Sequence, residues 1–151
     1  MPAYLLGSQA LIDSARNVDT PVHKWARAIE ANAEDIVVSV TSFTLFKHRV
    51  DLLEASDRAA WQRLFNIALA RHKSYDGILS VTLDAALRAA ELRAMVLMAE
   101  SDGEQFPLGD LGRLVAATAL EEHLTLVDMR QPYHAVLESA HGLSFHNPYS
   151  T

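Results

Sequence analysis

Short runs of apolar residues recur along the chain, separated by longer stretches in which apolar positions have helical spacing. Short runs rich in β-branched residues are typical of strands that lie buried in a parallel sheet. We predict four to five such strands: Ala3–Leu6, Ile36–Ser39, Leu124–Val127, and the weaker Leu79–Val81 and Leu143–Phe145.

Between these runs, apolar residues return at i, i+3, i+4 and i+7, which is the pattern of one helix face. The predicted helices are Ala10–Arg16, one beginning at Thr20-Pro21, one capped by Thr41 or Ser42, one capped by Asp57, Thr82–Glu100, one beginning at Asp110, and Pro132–Ser139. In Thr82–Glu100 the residues expected to face inward are Leu83, Leu87, Ala90, Ala94 and Leu97. The alternation of strands and helices predicts an α/β fold with a mainly parallel central sheet of four to five strands flanked by helices.

The stretch Leu108–Asp128 carries the strongest local pattern, a helix that runs directly into a buried strand. Asp110 is the expected N-cap, because its carboxylate can accept the first free N–H groups of the helix. In open α/β sheets, ligands bind beside the carboxyl ends of strands and the helix starts next to them. We therefore expect a functional site around Gly109–Arg113 and Asp128–Arg130.

Composition and charge narrow the classes of function. The 151 residues fit a single domain, 1–151, and hydrophobic residues make up 50% of them. The formal net charge of −6 argues against broad binding of nucleic acid, which needs a basic surface. The absence of cysteine excludes disulfides, thiolate metal sites and a cysteine nucleophile. The first residues form neither a signal peptide nor a membrane span, so we expect a cytoplasmic protein with no membrane partner.

Four segments in their order along the chain resemble the PIN domain, the small nuclease fold of the VapC toxins of bacterial toxin–antitoxin pairs. The segments are YLLGSQALID, IVVSVTSFTLFKHRVDLL, LDAALRAAELRA and LGDLGRLVAATALEEHLTLV, and the closing HNP also fits. The resemblance covers nearly the whole chain. It implies a ribonuclease site in which three or four carboxylates at the strand ends hold Mg²⁺ or Mn²⁺, since hard cations prefer oxygen ligands.

The matched acidic positions of that family are all non-acidic in this chain. They fall at Gly7, Leu45, Gly112 and Arg130. We therefore expect no bound Mg²⁺ or Mn²⁺ and no metal-dependent cleavage of RNA. The nearest carboxylates are Asp110 and Asp128, which form a reduced metal site only in the alternative of a divergent ribonuclease. In that alternative the hydroxyls that would support the metal or its water are those of Ser8, Thr41 and Ser42, which otherwise serve turns and caps.

Large apolar side chains on two consecutive helices are either core or a groove for a partner. They are Phe46, Val50, Leu53, Trp61 and Phe65. The resemblance implies that an antitoxin-like peptide binds this region, and that the chain pairs as a homodimer through Phe46, Val50 or Trp61. Three functions remain open: a degenerate PIN-domain protein that binds protein or RNA, a divergent Mg²⁺- or Mn²⁺-dependent ribonuclease toxin, and an α/β binding module of unknown ligand.

Overall fold

The computed structural model describes residues 3–16, 19–31, 35–74, 77–93, 100–101, 104–105 and 109–149, and within them a central sheet of five strands. The strands are β1 (Ala3–Leu6), β2 (Asp35–Ser39), β3 (Ile78–Leu79), β6 (Thr125–Val127) and β7 (Phe145–His146). Their order is β3-β2-β1-β6-β7, and every neighbouring pair is parallel. A separate antiparallel pair consists of β4 (Glu100–Ser101) and β5 (Glu104–Gln105). The predicted parallel sheet is thereby confirmed.

Seven helices lie in the described residues. They are α1 (Ser8–Ala15), α2 (Pro21–Ala31), α3 (Val40–Asp51), α4 (Ala55–Ser74), α5 (Leu83–Arg93), α6 (Asp110–Glu121) and α7 (Pro132–His141). They cover both faces of the sheet. Successive strand residues point to opposite faces, and their side chains pack in two separate core clusters. Leu5 and Leu126 belong to one core cluster, with α6 and α7, whereas Leu6 and Val127 belong to the other, with α1 and α3.

Two predicted helix caps are wrong, and each real cap lies earlier in the chain. Strand β2 runs into α3 without a loop, so Ser39 is the N-cap and its Oγ accepts the Thr41 N–H at 3.1 Å. Thr41 and Ser42 lie inside the helix and are buried, and Ser42 Oγ donates to the Leu6 carbonyl oxygen at 3.1 Å. Asp57 likewise lies within the first turn of α4 rather than at its cap.

The predicted cap of α6 is also wrong. Gly109 has the extended backbone of an N-cap, at φ −70° and ψ 168°, and Asp110 is the first helical residue. The Asp110 carboxylate pairs with the Arg113 guanidinium on the helix surface, and no backbone N–H of the described residues donates to it. Sequence spacing missed this because glycine at the cap offers no side chain to recognise.

Helix α5 buries the face opposite to the predicted one. Leu83 and Leu87 are 74% and 57% exposed, and Ala90 is also exposed, whereas Ala85, Ala89 and Leu92 are buried. Small residues let α5 lie close to the alanine-rich α6, which favours the alanine face. The expected continuation to Glu100 is wrong, since Glu100 is in a strand. Ala94 and Leu97 lie outside the described residues. No helix in the described part is both long and apolar enough to span a bilayer.

Candidate functional site

The carboxyl ends of β1 and β6 lie side by side in the middle of the sheet. Leu6 pairs with Val127, and the Gly7 N–H donates to the Val127 carbonyl oxygen at 2.8 Å. Gly7 follows the first of these strands and Asp128 follows the second. The two residues therefore meet at the sheet edge where a ligand site is expected in this class of fold.

The Asp128 carboxylate fills the space that a side chain at Gly7 would occupy. A Cβ added to Gly7 would lie 2.1 Å from Asp128 Oδ2 and 2.9 Å from Asp128 Cβ. Asp128 Oδ1 accepts the backbone N–H of Ala10 at 3.1 Å and that of Met129 at 3.0 Å. Because Gly7 is the N-cap of α1 and has no capping side chain, Asp128 supplies the cap from a neighbouring strand.

Burial raises the pKa of Asp128 to about 6. The Met129 and Ala10 N–H groups act in the opposite direction, as does the positive charge of Arg49, while the negative charge of Asp13 raises the pKa further. The desolvation effect is the largest, so the carboxylate changes its charge close to neutral pH.

An inner cavity of about 60 Å³ lies beside this carboxylate. Its apolar wall consists of Leu45, Val115, Ala116, Leu126 and Leu137, with Gly112 beside them. Its polar lining consists of Ser8, Asp128, Tyr133 and His134. The structure thus brings together four of the residues that the sequence singled out, namely Ser8, Leu45, Gly112 and Asp128.

An outer cleft of about 490 Å³ adjoins the inner cavity, since Ser8, Asp128 and Tyr133 line both. Its other lining residues are Gln9, Arg49, Met129 and Gln131. The cleft therefore offers one anionic group, one cationic group and two carboxamides.

Besides Gly7, four predicted site residues line neither space within the described residues. Asp110 has a side chain that is 85% exposed and is paired with Arg113. Arg130 Nη1 donates to Glu138 Oε1 at 2.8 Å, and its guanidinium lies 4.9 Å from the Phe145 ring centroid. Thr41 and Ser42 are buried at the start of α3. Asp110 and Asp128 are thus engaged with different partners.

Tyr133 and His134 are site residues that sequence reasoning missed. His134 is 3% exposed, its Nδ1 accepts the Gln131 N–H at 2.9 Å, and its ring stacks on Phe145 at 4.0 Å. Burial lowers the pKa of His134 to about 4, helped by the charge of Arg130. Burial raises the pKa of Tyr133 to about 12, and the charge of Asp128 adds to this. Their position in the sequence could have identified them, because they lie at the start of the helix that follows β6.

The donor set does not fit a catalytic Mg²⁺ or Mn²⁺. These ions need several hard oxygen ligands to offset the loss of hydration. The inner cavity offers one carboxylate and otherwise a hydroxyl, a phenol, an imidazole and an apolar wall. In the parts of the chain that the structure describes, no three His, Asp or Glu side chains are grouped closely enough to hold a metal ion.

A third cavity, of about 210 Å³, lies among α1, α3 and α4, and we call it the helical groove. Four of the five predicted groove residues line it: Phe46, Val50, Leu53 and Trp61. Phe46 and Val50 are 0% and 1% exposed, so they form its floor, whereas Trp61 lies at its opening. The groove also has a polar lining of Gln9, Asp13, Arg16 and Arg49. Phe65 instead packs edge-on against Phe43 and Phe46 and lines a different surface.

No protein-family model and no curated protein matches the sequence. Solved structures do match over nearly the full chain. One match is a chain in the structure of VapBC2 from Rickettsia felis bound to a promoter DNA fragment, with a TM-score of 0.70 and 19% sequence identity. The alignment covers 96% of this chain and 98% of that chain. The fold is PIN-like. FitAcB from Neisseria gonorrhoeae gives a TM-score of 0.64 at 18% identity, with 98% of this chain and 99% of that chain covered.

A further match is VapBC-5 from Mycobacterium tuberculosis, a member of the VapBC family of toxin-antitoxin systems. Its TM-score is 0.58 at 19% identity, and the alignment covers 97% of this chain and 98% of that chain. The predicted PIN-like fold is therefore confirmed over almost all of the sequence. At sequence identities of 18–19%, these matches show similarity of fold and nothing about activity.

Proposed function

We propose that this PIN-like protein acts by binding a partner protein and does not cleave RNA with a divalent metal. The observation that carries the proposal is the position of the Asp128 carboxylate, which occupies the space of a Gly7 side chain and caps α1. The resemblance assigns acidic metal ligands to positions 7, 45, 112 and 130. The chain has Gly7, Leu45, Gly112 and Arg130 there, so among the described residues Asp128 is the one carboxylate that lines the inner cavity.

The charges around the inner cavity and outer cleft support the proposal that no divalent metal binds there. Mg²⁺ gives up water reluctantly and needs negative charge in return. Asp128 carries one charge at most, and its burial already disfavours that charge. Arg49 lines the same outer cleft and would repel a divalent cation. Asp110, the other carboxylate of the reduced-site alternative, is held on the surface by Arg113.

A partner protein is favoured over RNA by the helical groove and by charge. The groove has an apolar floor and one large half-buried aromatic at its opening, Trp61, as grooves that receive apolar side chains do. The net charge of −6 disfavours attraction of a phosphate backbone. Because the VapBC and FitAcB structures share the fold, we expect an antitoxin-like peptide to bind in the helical groove.

Calorimetric titration with Mn²⁺ and an RNA-cleavage assay with and without EDTA test the metal-free part. We expect no stoichiometric site with a dissociation constant below about a millimolar and no EDTA-sensitive cleavage. A tight Mn²⁺ site, or cleavage that EDTA stops and Asp128→Asn abolishes, would overturn the proposal in favour of the divergent ribonuclease.

The groove is tested by a matched pair of variants on α4. Trp61→Ala removes the aromatic at the groove, whereas Ile67→Ala changes a 57% exposed side chain that does not line it. Each variant is co-expressed with a candidate antitoxin-like partner, and complex formation is followed by size-exclusion chromatography. Loss with Trp61→Ala alone supports the proposal. Equal behaviour of the two variants contradicts it.

Sedimentation of the chain alone at tens of micromolar, on the order of working concentrations, tests the expected homodimer.

A further inference from the structure

Polar side chains form a connected row along one side of the helical groove. Arg49 Nη1 donates to Gln9 Oε1 at 2.5 Å, and Gln9 Nε2 lies 3.2 Å from each oxygen of Asp13. Arg16 Nη1 lies 3.8 Å from Asp13 Oδ1, and the Arg16 guanidinium lies 5.5 Å from the centre of the Trp61 ring. All five residues line the groove. The row therefore has an arginine at each end and one carboxylate between them.

The charge that this row presents to a partner is positive. The Asp13 side chain is 9% exposed, and its oxygens are engaged by Gln9, Arg16 and the Tyr149 hydroxyl. The Arg16 side chain is 43% exposed, and Arg49 is also exposed. Arg49 donates to the neutral Gln9, and no carboxylate of the described residues lies within ion-pair distance of it. The two guanidinium groups are thus accessible, whereas the carboxylate is covered.

The floor of the groove beside this row is apolar. Ile12, Phe46 and Val50 line it and are 4%, 0% and 1% exposed, and the half-buried Leu53 and Trp61 complete the wall. The groove volume of about 210 Å³ equals that of roughly seven waters, which is room for an aliphatic side chain such as leucine. An occupant therefore needs an apolar side chain for the floor and a group that suits two cations at the rim.

We propose that the helical groove binds a segment of a partner protein in which leucine-like side chains adjoin a glutamate or aspartate. The apolar side chain lies on the floor, and the carboxylate accepts hydrogen bonds from Arg49 and Arg16, since arginine and carboxylate form strong charge-assisted pairs. A lysine or arginine of the partner would meet two like charges, because Asp13 is already engaged. The inference rests on the proposed function, to which it adds the chemistry of the partner segment.

A protein segment fits this surface better than a nucleic acid does. A phosphate would also pair with the two arginines, but sugars and phosphates would leave the buried aliphatic floor of Ile12 and Val50 uncovered. Ligand grooves with apolar walls and few polar groups favour ligands that are themselves mostly apolar. The formal net charge of −6 does not oppose an acidic segment, because distant surface charges are screened by salt, whereas a carboxylate in contact with Arg49 is not.

Three blocked tripeptides test the charge preference, with leucine at both ends and glutamate, glutamine or lysine in the middle. Each is titrated into the ¹⁵N-labelled full chain at low ionic strength, and the signals followed are the Trp61 indole and the backbone amides of Gln9 and Arg16. We expect the glutamate peptide to bind roughly five-fold more tightly than the glutamine peptide, which is the effect of one partly exposed charged hydrogen bond. The lysine peptide should bind most weakly, and added salt should reduce the preference.

Several outcomes of this titration would overturn the inference. They are equal binding of the glutamate and glutamine peptides, tighter binding of the lysine peptide, and the absence of shifts with all three. A single-stranded oligouridine is titrated in parallel. If it shifts the Trp61 indole at lower concentration than the glutamate peptide does, the arginines serve a phosphate backbone and the inference is wrong.

Arg49→Gln is the decisive variant, and Arg63→Gln is its matched control. Arg63 is an exposed arginine of α4 that does not line the groove, so both variants lose one positive charge. Arg49→Gln should reduce the preference for the glutamate peptide to less than about two-fold, whereas Arg63→Gln should leave it unchanged. Arg49→Lys keeps the charge and should retain most of the preference. Equal effects of Arg49→Gln and Arg63→Gln contradict the assigned role, and circular dichroism confirms that each variant is folded.

The inference and the proposed function fail in different ways. If all three peptides bind equally and Trp61→Ala abolishes their binding, the groove receives a partner without a preference for acidic residues. A groove that no partner uses would instead be revealed by the co-expression experiment, in which Trp61→Ala and Ile67→Ala would behave alike.

Discussion

Two carboxylates line neighbouring cavities, and their burial and surroundings differ. Asp13 lines the helical groove, and both of its oxygens have side-chain partners. Gln9 Nε2 lies 3.2 Å from each oxygen, the Tyr149 hydroxyl donates to Oδ2 at 2.5 Å, and Arg16 lies 3.8 Å from Oδ1. Asp128 lines the inner cavity, and its described hydrogen bonds are the two backbone N–H groups at one oxygen.

The difference separates a carboxylate that is held by side chains from one that is held by backbone N–H groups. Asp13 links α1 to the C-terminal segment through Tyr149. Burial raises the pKa of the Tyr149 phenol, and the hydrogen bond to Asp13 raises it further. Asp128 links the end of β6 to α1 through Oδ1, and its Oδ2 accepts no hydrogen bond from the described residues. The polar atoms of the buried Asp13 are thus satisfied within the fold, whereas the half-buried Asp128 lines the outer cleft.

The two regions are connected through Arg49 and Gln9. Arg49 Nη1 donates to Gln9 Oε1 at 2.5 Å, and Gln9 donates in turn to Asp13. Both side chains line the helical groove as well as the outer cleft. A partner in the groove that moves Arg49 would change the charge felt by Asp128.

Gly7→Asp should have the largest effect on stability. Its Cβ would lie 2.9 Å from Asp128 Cβ, which rotation of the Asp128 side chain cannot relieve, and rotation would also break the cap on Ala10. We expect a loss of about 3 kcal/mol in the free energy of unfolding, measured by chemical denaturation.

Gly109→Asp is the matched control for that change. Gly109 is also an N-cap with φ near −70°, but an added Cβ meets nothing within 4 Å in the described structure. This variant should be unchanged or stabilised by a few tenths of a kcal/mol. The double change Gly7→Asp with Asp128→Gly should recover most of the stability, because the new side chain at position 7 can cap α1 itself. Equal losses for Gly7→Asp and Gly109→Asp would contradict the assigned contact.

Asp128→Asn should remove a pH dependence of stability. The pKa of Asp128 is about 6 in the folded protein and 3.8 as its ordinary value, so the folded chain binds the proton more tightly than the unfolded chain. This contribution to stability is fully present below pH 4 and is lost as the pH rises through 6. Relative to wild type, the variant should gain roughly 3 kcal/mol between pH 4 and pH 7, measured by denaturation at each pH.

His134 changes the pH dependence in the opposite direction and must be allowed for in that measurement. Its folded pKa of about 4 lies below the ordinary 6.5, so its contribution is present above pH 6.5 and is lost as the pH falls towards 4. Because His134 is the same in wild type and in Asp128→Asn, its effect cancels in the difference between them. A difference that does not vary with pH would show that Asp128 titrates normally.

A metal site should be recoverable without touching Gly7. Leu45 and Gly112 both line the inner cavity, so Leu45→Glu with Gly112→Asp would place two carboxylates beside Asp128. We expect Mn²⁺ affinity to rise at least ten-fold, which corresponds to about 1.4 kcal/mol, together with lower stability in EDTA from like-charge repulsion. Calorimetry measures the first and denaturation the second. A folded variant with no gain in affinity would show that the residues matched to the PIN pattern do not converge.

Sequence periodicity predicted the five strands of the central sheet and the helices between them, because these depend on local apolar patterns, but it missed the short pair β4 and β5. The same patterns predicted the wrong face of α5, since Leu83 and Leu87 repeat as regularly as Ala85 and Ala89. Packing against the alanines of α6 decides that choice, and packing is a tertiary effect. Similarly, Asp128 was recognised as a site residue, but its occupation of the space at Gly7 depends on the register of β1 against β6.

Among these predictions, Asp110→Ala should change the free energy of unfolding least. It is compared with Ser39→Ala, which removes an observed helix cap. A capping carboxylate is worth about 1 kcal/mol when it satisfies backbone N–H groups at a helix start. The Asp110 side chain is 85% exposed and pairs with Arg113, and exposed ion pairs contribute little because water screens them. Asp110→Ala should therefore change the free energy of unfolding by less than about 0.5 kcal/mol. Ser39→Ala, which removes the hydroxyl that accepts the Thr41 N–H at the start of α3, should cost about 1 kcal/mol in the same denaturation assay. If Asp110→Ala costs as much as Ser39→Ala, the carboxylate caps α6 in solution and the assignment of that role to Gly109 is wrong.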